Sequence, residues 1–216
     1  MSSIVSDLST MLNNHLDFVE GRGGVQIKIK DKSLNWLDLA GLNLSKIIMH
    51  TVEMNNTDIS GANMFAAFAE RSSFRNLVAK KTNFRESYME GCDFSFSDCT
   101  DSNFRNANLE GSNFYRACLA GVDFKGASIK GVNFYGADFA GATIAEGQIL
   151  TGKIYQIDGL GFDSDYLEIF QTLRGWYVRN QDFEGDSNNF SLNLRKKYGS
   201  CDLQIRYKNI IGALCI

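Results

Sequence analysis

An apolar residue stands at every fifth position of this chain from Leu34 to Ile154. The column runs through Leu39, Leu44, Met64, Phe74, Phe94, Phe114, Phe134 and Ile144, and none of its 25 members is polar. In a chain that is 44% hydrophobic, chance gives such a run with a probability on the order of 10⁻⁹. Two residues before each centre lies a second column. From Thr57 to Ala142 it is Ala, Ser, Thr, Cys or Val at every position except Leu77. The residue between the columns is often Asn or Asp, and glycine recurs two after the centre, as at Gly111, Gly121, Gly131 and Gly141.

A period of five matches neither the 3.6 of a helix nor the 2.0 of a strand. Both apolar columns point inward together if the chain turns a corner after every five residues. Four such sides close a coil of 20 residues, with the large column on the axis and the small one where the walls come closest. Gly or Asn near the corner eases the turn. The chain has no proline, as continuous backbone ladders require. The Ala-rich stretch 62–81 is the one place where an inserted helix competes. The frame is the same on both sides of it, which favours an unbroken solenoid.

Sequences such as Ala107-Asn-Leu-Glu-Gly, Ser112-Asn-Phe-Tyr-Arg, Val122-Asp-Phe-Lys-Gly and Ala137-Asp-Phe-Ala-Gly closely resemble the pentapeptide-repeat family. The resemblance implies an all-β solenoid, a right-handed quadrilateral β-helix. Residues 32–156 supply about six coils at a strand spacing of ~4.8 Å, a rod of ~30 Å.

The period leaves two ends. Residues 1–31 read as an N-terminal helical cap, with Ile4, Leu8, Leu12, Leu16 and Val19 at helical spacing and Gly21, Gly23 and Gly24 as the stop. Such a cap covers the exposed core and edge of an end coil. Residues 157–216 read as a small α+β appendage. Tyr166–Thr172 and Trp176–Asn180 suit a hairpin around Leu173-Arg-Gly175, with a helix over Ser164–Leu173 as the competing reading. Asp186–Tyr198 reads as a helix, and Leu203, Ile205 and Tyr207 alternate like a strand. The arrangement resembles bacterial and phage-encoded members of the family.

Catalytic chemistry finds no place to sit. The two histidines, His15 and His50, lack partners at metal-ligand spacing. No nucleophile elbow, phosphate-cradling loop or zinc-protease motif occurs. The expectation is a non-enzyme with no metal and no cofactor. Five cysteines without paired spacing suit a reducing compartment. The N-terminus lacks the pattern of a secretory signal and no apolar stretch approaches membrane length, so a cytoplasmic protein with no membrane partner is expected. A net charge of −3 argues against direct nucleic-acid binding.

Residues 20 apart stack, so the position after each centre sorts into four faces. One carries Arg75, Ser95, Tyr115, Tyr135 and Tyr155, with Phe96 and Arg116 beside it. A second is small and bland. A third is a basic column of Arg85, Arg105 and Lys125. The fourth is an acidic column of Glu70, Glu90 and Glu110. Tyr and Arg carry binding energy at interfaces, which makes the tyrosine face the candidate partner site. Stacked aromatics also stabilise sheets without any partner.

The expected function is a protein-binding module presenting a rigid four-faced rod. The resemblance brings in DNA gyrase and topoisomerase as candidate partners, bound through mimicry of a DNA duplex. Against that, the rod from Lys32 to Lys153 has 12 basic and 13 acidic residues, near neutrality. The alternative is a structural or assembly component of a larger complex or phage particle, attached through the C-terminal domain. The apolar tail from Ile210 to Ile216 is a candidate for homodimer contact or strand addition.

Overall fold

The computed structural model describes residues 2–145, 148–158, 166–180, 183–190 and 192. The chain divides into two compact units, Met1–Glu146 and Gly147–Ile216.

The first unit opens with helix α1 (Ser2–Val19). The chain then folds back, and Val25 N–H donates to the Asn14 carbonyl at 3.1 Å. Gly24 makes this return at φ +71, and a Cβ there would sit 2.7 Å from Phe18 N and 2.8 Å from Asp17 Cβ. No other residue fits both the conformation and the space.

Beyond Lys28 the unit is a stack with a repeat of 20 residues. Three short strands, β1 (Lys28–Lys30), β2 (Ile48–His50) and β3 (Phe68–Glu70), pair in parallel with Lys28 opposite Ile48 and Ile48 opposite Phe68. Parallel bridges then link residue i to i+20 from Ser33↔Glu53 to Asp123↔Thr143; Thr143 opens strand β4 (Thr143–Ala145). The Ala-rich stretch keeps this geometry, with Asn63↔Asn83 and Phe68↔Tyr88 in register. No helix is inserted there.

The pentad follows from accounting for its backbone donors. In the repeat centred on Phe74, the Ser73 N–H donates to the Val52 carbonyl (2.9 Å) and the Phe74 N–H to the Asp93 carbonyl (2.7 Å). At the corner, Asn76 N–H donates to the Ser95 carbonyl (3.0 Å), and Leu77 N–H turns back onto the Phe74 carbonyl (3.2 Å). The donor left over belongs to the residue after the centre. An Asn or Asp side chain takes it: Ser60 N–H donates to Asp58 Oδ1 (2.8 Å), Arg85 N–H to Asn83 Oδ1 (3.2 Å) and Tyr115 N–H to Asn113 Oδ1 (3.1 Å). That is why Asn and Asp recur before the centre. The corner residue has positive φ, glycine at Gly121 (φ 70) but also Asn76 (φ 53) and Phe96 (φ 60).

Several hydroxyls of the small column are satisfied by backbone carbonyls, although the buried Ser102 Oγ is not. Thr57 Oγ1 donates to the Leu34 carbonyl (2.8 Å), Thr82 Oγ1 to Ile59 (2.8 Å) and Ser112 Oγ to Met89 (2.7 Å). The axis is filled by the centres. Phe74, Phe94, Phe114 and Phe134 stack at 4.7–5.7 Å on one wall, and Phe84, Phe104 and Phe124 at 4.5–5.6 Å on another. Between the walls the rings meet edge to face, as Phe94 and Phe104 do at 6.0 Å and 90°, the arrangement aromatic quadrupoles favour.

The second unit is an antiparallel sheet. Strands β5 (Gln148–Asp158), β6 (Tyr166–Thr172), β7 (Gly175–Arg179) and β8 (Glu184–Asp186) follow one another in that order. β6 and β7 form a hairpin with Thr172 opposite Gly175, so the helical alternative for Ser164–Leu173 is set aside. Phe170 and Val178 are fully buried. Glu168, also fully buried, accepts from Arg179 Nε at 2.5 Å.

Two sequence expectations need correction. The boundary expected after Gln156 falls inside β5, and the division lies between Glu146 and Gly147. Residues 148–158 keep an apolar residue at Ile149 and Ile154, but Ile154 pairs antiparallel with Phe170 and Tyr155 with Ile169. The start expected for a helix at Asp186 is the end of β8, with helical residues at 187–190 and 192. The rest of that helix, the strand at Leu203–Tyr207 and the apolar tail lie outside the described residues.

Candidate interaction surface

The face carrying Tyr115 and Tyr135 is built by an amide ladder. Asn133 Nδ2 donates to Asn113 Oδ1 at 2.9 Å, and Asn113 Nδ2 to Asp93 Oδ1 at 3.0 Å. The same Asn oxygens fix the backbone N–H groups of Tyr115 and Tyr135 at 3.1 and 3.0 Å. The two rings therefore stack, with centroids 5.9 Å apart and planes 7° apart. Phe96 meets Tyr115 edge-on at 5.4 Å.

Two guanidiniums complete the patch. Arg116 lies over the Tyr115 ring at 5.2 Å and Arg75 over Phe96 at 5.9 Å. Arg75 also pairs with Asp93 at 3.1 Å. Tyr135 is 74% exposed and Phe96 42%. The corner column containing Phe96 and Arg116 begins at Trp36, which is 77% exposed and has φ 65. Sequence reasoning passed over Trp36, although its place 60 residues before Phe96 on the 20-residue repeat was readable.

Tyr155 belongs to β5 in the second unit, where its ring lies 6.0 Å from Trp176. In the first unit the aromatic face consists of Phe96, Tyr115 and Tyr135.

The acidic column is locally engaged. Glu70 lies 3.5 Å from Arg71, Glu90 accepts from the Tyr88 hydroxyl at 2.5 Å, and Glu110 accepts from Ser128 Oγ at 2.8 Å. The hydrogen bond to Glu90, then desolvation, then the charges of Glu90, Glu70 and Glu110 raise the Tyr88 pKa above its ordinary value. This face has its own aromatic ladder: His50, Phe68 and Tyr88 follow at 5.1 and 5.0 Å, the last pair parallel to 3°. Reading only the residue after each centre hid it, because Phe68 and Tyr88 precede theirs. The basic column shares one counterion, with Arg105 and Lys125 at 3.5 and 3.6 Å from Asp123. Arg85 has no ion pair among the described residues.

No group of three metal-ligating side chains occurs among the described residues. Neither does a helix long and apolar enough to cross a membrane. Burial pushes the thiols of Cys92 and Cys99 up to about 12.

The family model for pentapeptide repeats (8 copies) matches residues 87–126 and 117–146. No curated protein matches the sequence. Among solved structures, a pentapeptide repeat protein (Rfr23) from the cyanobacterium Cyanothece 51142 is 20% identical, covering 59% of this chain and 94% of that one at a TM-score of 0.41. A thylakoid-lumen pentapeptide repeat protein of Arabidopsis thaliana is 28% identical, covering 50% and 65% at 0.29. A trypsin-treated form of QnrB1, a plasmid-mediated fluoroquinolone resistance protein, is 15% identical, covering 56% and 71% at 0.25. With the five-residue period and the 20-residue stacking in hand, residues 87–146 are the part of this chain that the pentapeptide-repeat family model identifies as its repeats.

Proposed function

We propose that this chain is a non-enzymatic binding module. Its repeat unit, read as a right-handed quadrilateral β-helix of about six coils, presents the aromatic face to a protein partner. One observation carries the reading. Tyr115, Tyr135 and Phe96 form a continuous aromatic patch, Tyr135 and Phe96 exposed and Tyr115 half-buried, with two guanidiniums over it. Large rigid aromatics and Arg are the anchors of protein interfaces. Here the backbone ladder positions them beforehand, so docking costs little ordering entropy.

DNA gyrase or topoisomerase is the defined candidate, brought by the family resemblance. The near-neutral charge of the rod weighs against duplex mimicry. The test is inhibition of gyrase supercoiling by the wild-type chain and by a folded Tyr115→Ala/Tyr135→Ala variant, with affinity capture from bacterial lysate run in parallel. A partner lost in the variant supports the aromatic face. A partner retained by the variant refutes it. A second reading, an assembly component attached through its C-terminal unit, is favoured by residues 147–216 clustering as a compact unit of their own. That reading predicts copurification at fixed stoichiometry and no effect on supercoiling.

A further inference from the structure

We propose that His15 is an acid-released latch: protonation of its imidazole detaches helix α1 from the repeat stack and uncovers the apolar end of that stack.

Both ring nitrogens of His15 are committed. Nε2 lies 2.9 Å from the Ser45 carbonyl, which accepts only, so Nε2 carries the proton and donates. Nδ1 accepts from the Ile27 backbone N–H at 3.1 Å. These bonds join three separate stretches: α1, the strand-entry segment before β1, and the side ending at Ser45. The ring is fully buried and stacks on Phe18 at 6.0 Å. Only the neutral tautomer with Nε2–H satisfies this arrangement.

A second proton has one place to go, Nδ1, where it would face the Ile27 N–H at the same 3.1 Å. Two donors then oppose each other, one acceptor is lost, and a cation is buried without a counterion. The neighbours supply no compensation. On α1 and its turn, Asp17 and Glu20 are both engaged with Arg22. Along the chain from Ile27 and Ser45 the charged residues are Lys28, Lys30, Asp31 and Lys46, and Asp31 is paired with Lys30 at 3.9 Å. Among the described residues the ring's hydrogen bonds go to Ser45 and Ile27 and its ring contact is Phe18, with no carboxylate among these partners. Burial accordingly holds the His15 pKa below its ordinary 6.5, the Ser45 bond acting in the opposite sense.

What the latch covers is apolar. Leu12 of α1 closes a space lined by Ile27, Ile29, Leu39, Leu44 and Met49. β1 pairs with β2 alone, so its other edge terminates the ladder. Other polar ties among the described residues include Gln26 Nε2 to the Lys46 carbonyl at 2.7 Å, Ile48 N–H to the Ile27 carbonyl at 3.0 Å and, within the cap, Val25 N–H to the Asn14 carbonyl at 3.1 Å.

The sign follows from linkage. A folded-state pKa below the unfolded one means that the latched form binds fewer protons. Its stability is full above 6.5 and falls as pH drops through the interval between 6.5 and the lowered value, approaching tenfold in the opening constant per pH unit. The test is amide hydrogen exchange of the full chain between pH 7.5 and pH 5, corrected for intrinsic rates. The expected result is a rising opening constant for residues 10–20, unchanged protection at the Phe74–Phe134 centres, and no rise in a His15→Gln variant, which keeps a donor for Ser45 but cannot take a proton. A pH-independent α1, or an equal rise in His15→Gln, overturns the proposal. If His15→Gln loses its cap at every pH, NMR titration of the wild-type imidazoles decides, with a His50→Gln variant assigning the signals. A His15 ring that protonates at or above 6.5 overturns the latch, and one that resists protonation below 6.5 supports it.

Discussion

Phe94 and Phe104 meet edge to face at 90° with centroids 6.0 Å apart, and each also stacks on the ring one coil away in its own column. Phe104 lies 4.5 Å from Phe84 and 5.6 Å from Phe124. A single side chain thus contacts two walls and three coils, and none of it reaches solvent. Phe104→Ala removes a ring that its neighbours, held by the backbone ladder, cannot move in to replace. The expected loss is about 3–5 kcal/mol, read as a lower denaturation midpoint with little change in slope.

The patch of Tyr115 and Tyr135 answers differently. Its rings are displayed on the wall, and Tyr135 is 74% exposed. Tyr115→Ala/Tyr135→Ala is expected to cost only about 1 kcal/mol of stability through the lost stack. Affinity for the partner should fall by tenfold or more, about 1.4 kcal/mol. Thermal unfolding beside a binding titration separates the two effects. A large stability loss with unchanged binding would assign the stack a purely structural role.

Trp36 occupies a left-handed corner, φ 65, where other coils of the same column have Asn56, Asn76 and Gly136. Asn tolerates that conformation; a bulky aromatic does so at a cost. The indole is 77% exposed, so little burial offsets the strain. Trp36→Asn should raise stability by about 1 kcal/mol. The same change reduces partner affinity if the aromatic surface extends along this corner to Phe96. Calorimetry and a binding titration check the pair of outcomes.

The core, the register and the passage through residues 62–81 were all legible because one period governs them. Every coil repeats the same solution, so the frame carries through a weak stretch whose Ala residues alone suggest a helix. The same logic misled at the end of the repeats. Ile149 and Ile154 keep an apolar residue every fifth position, yet an antiparallel strand accepts that spacing equally well, and β5 pairs with β6. Tyr155, counted with the tyrosine column, is a residue of that strand and pairs with Ile169. The Phe68–Tyr88 stack went unread because the columns were sorted on one position of the pentad. The role of His15 was beyond reach: its partners Ser45 and Ile27 are set by how α1 closes the stack, and no local spacing encodes that.

Cys92 and Cys99 offer a check on the rigidity of the stack that needs no partner. Both are fully buried among the described residues, and burial pushes their pKa values up to about 12. The thiolate is the reactive form, so at pH 8 each thiol is both protonated and shielded. The folded chain should leave the two unmodified by iodoacetamide while denatured chain reacts fully. Any slow native modification should track global unfolding. Peptide mass spectrometry reads each site separately. Rapid alkylation of Cys99 in folded protein would mean that the wall around it opens locally. The axial packing that holds the aromatic face in place would then be looser than the ladder geometry requires.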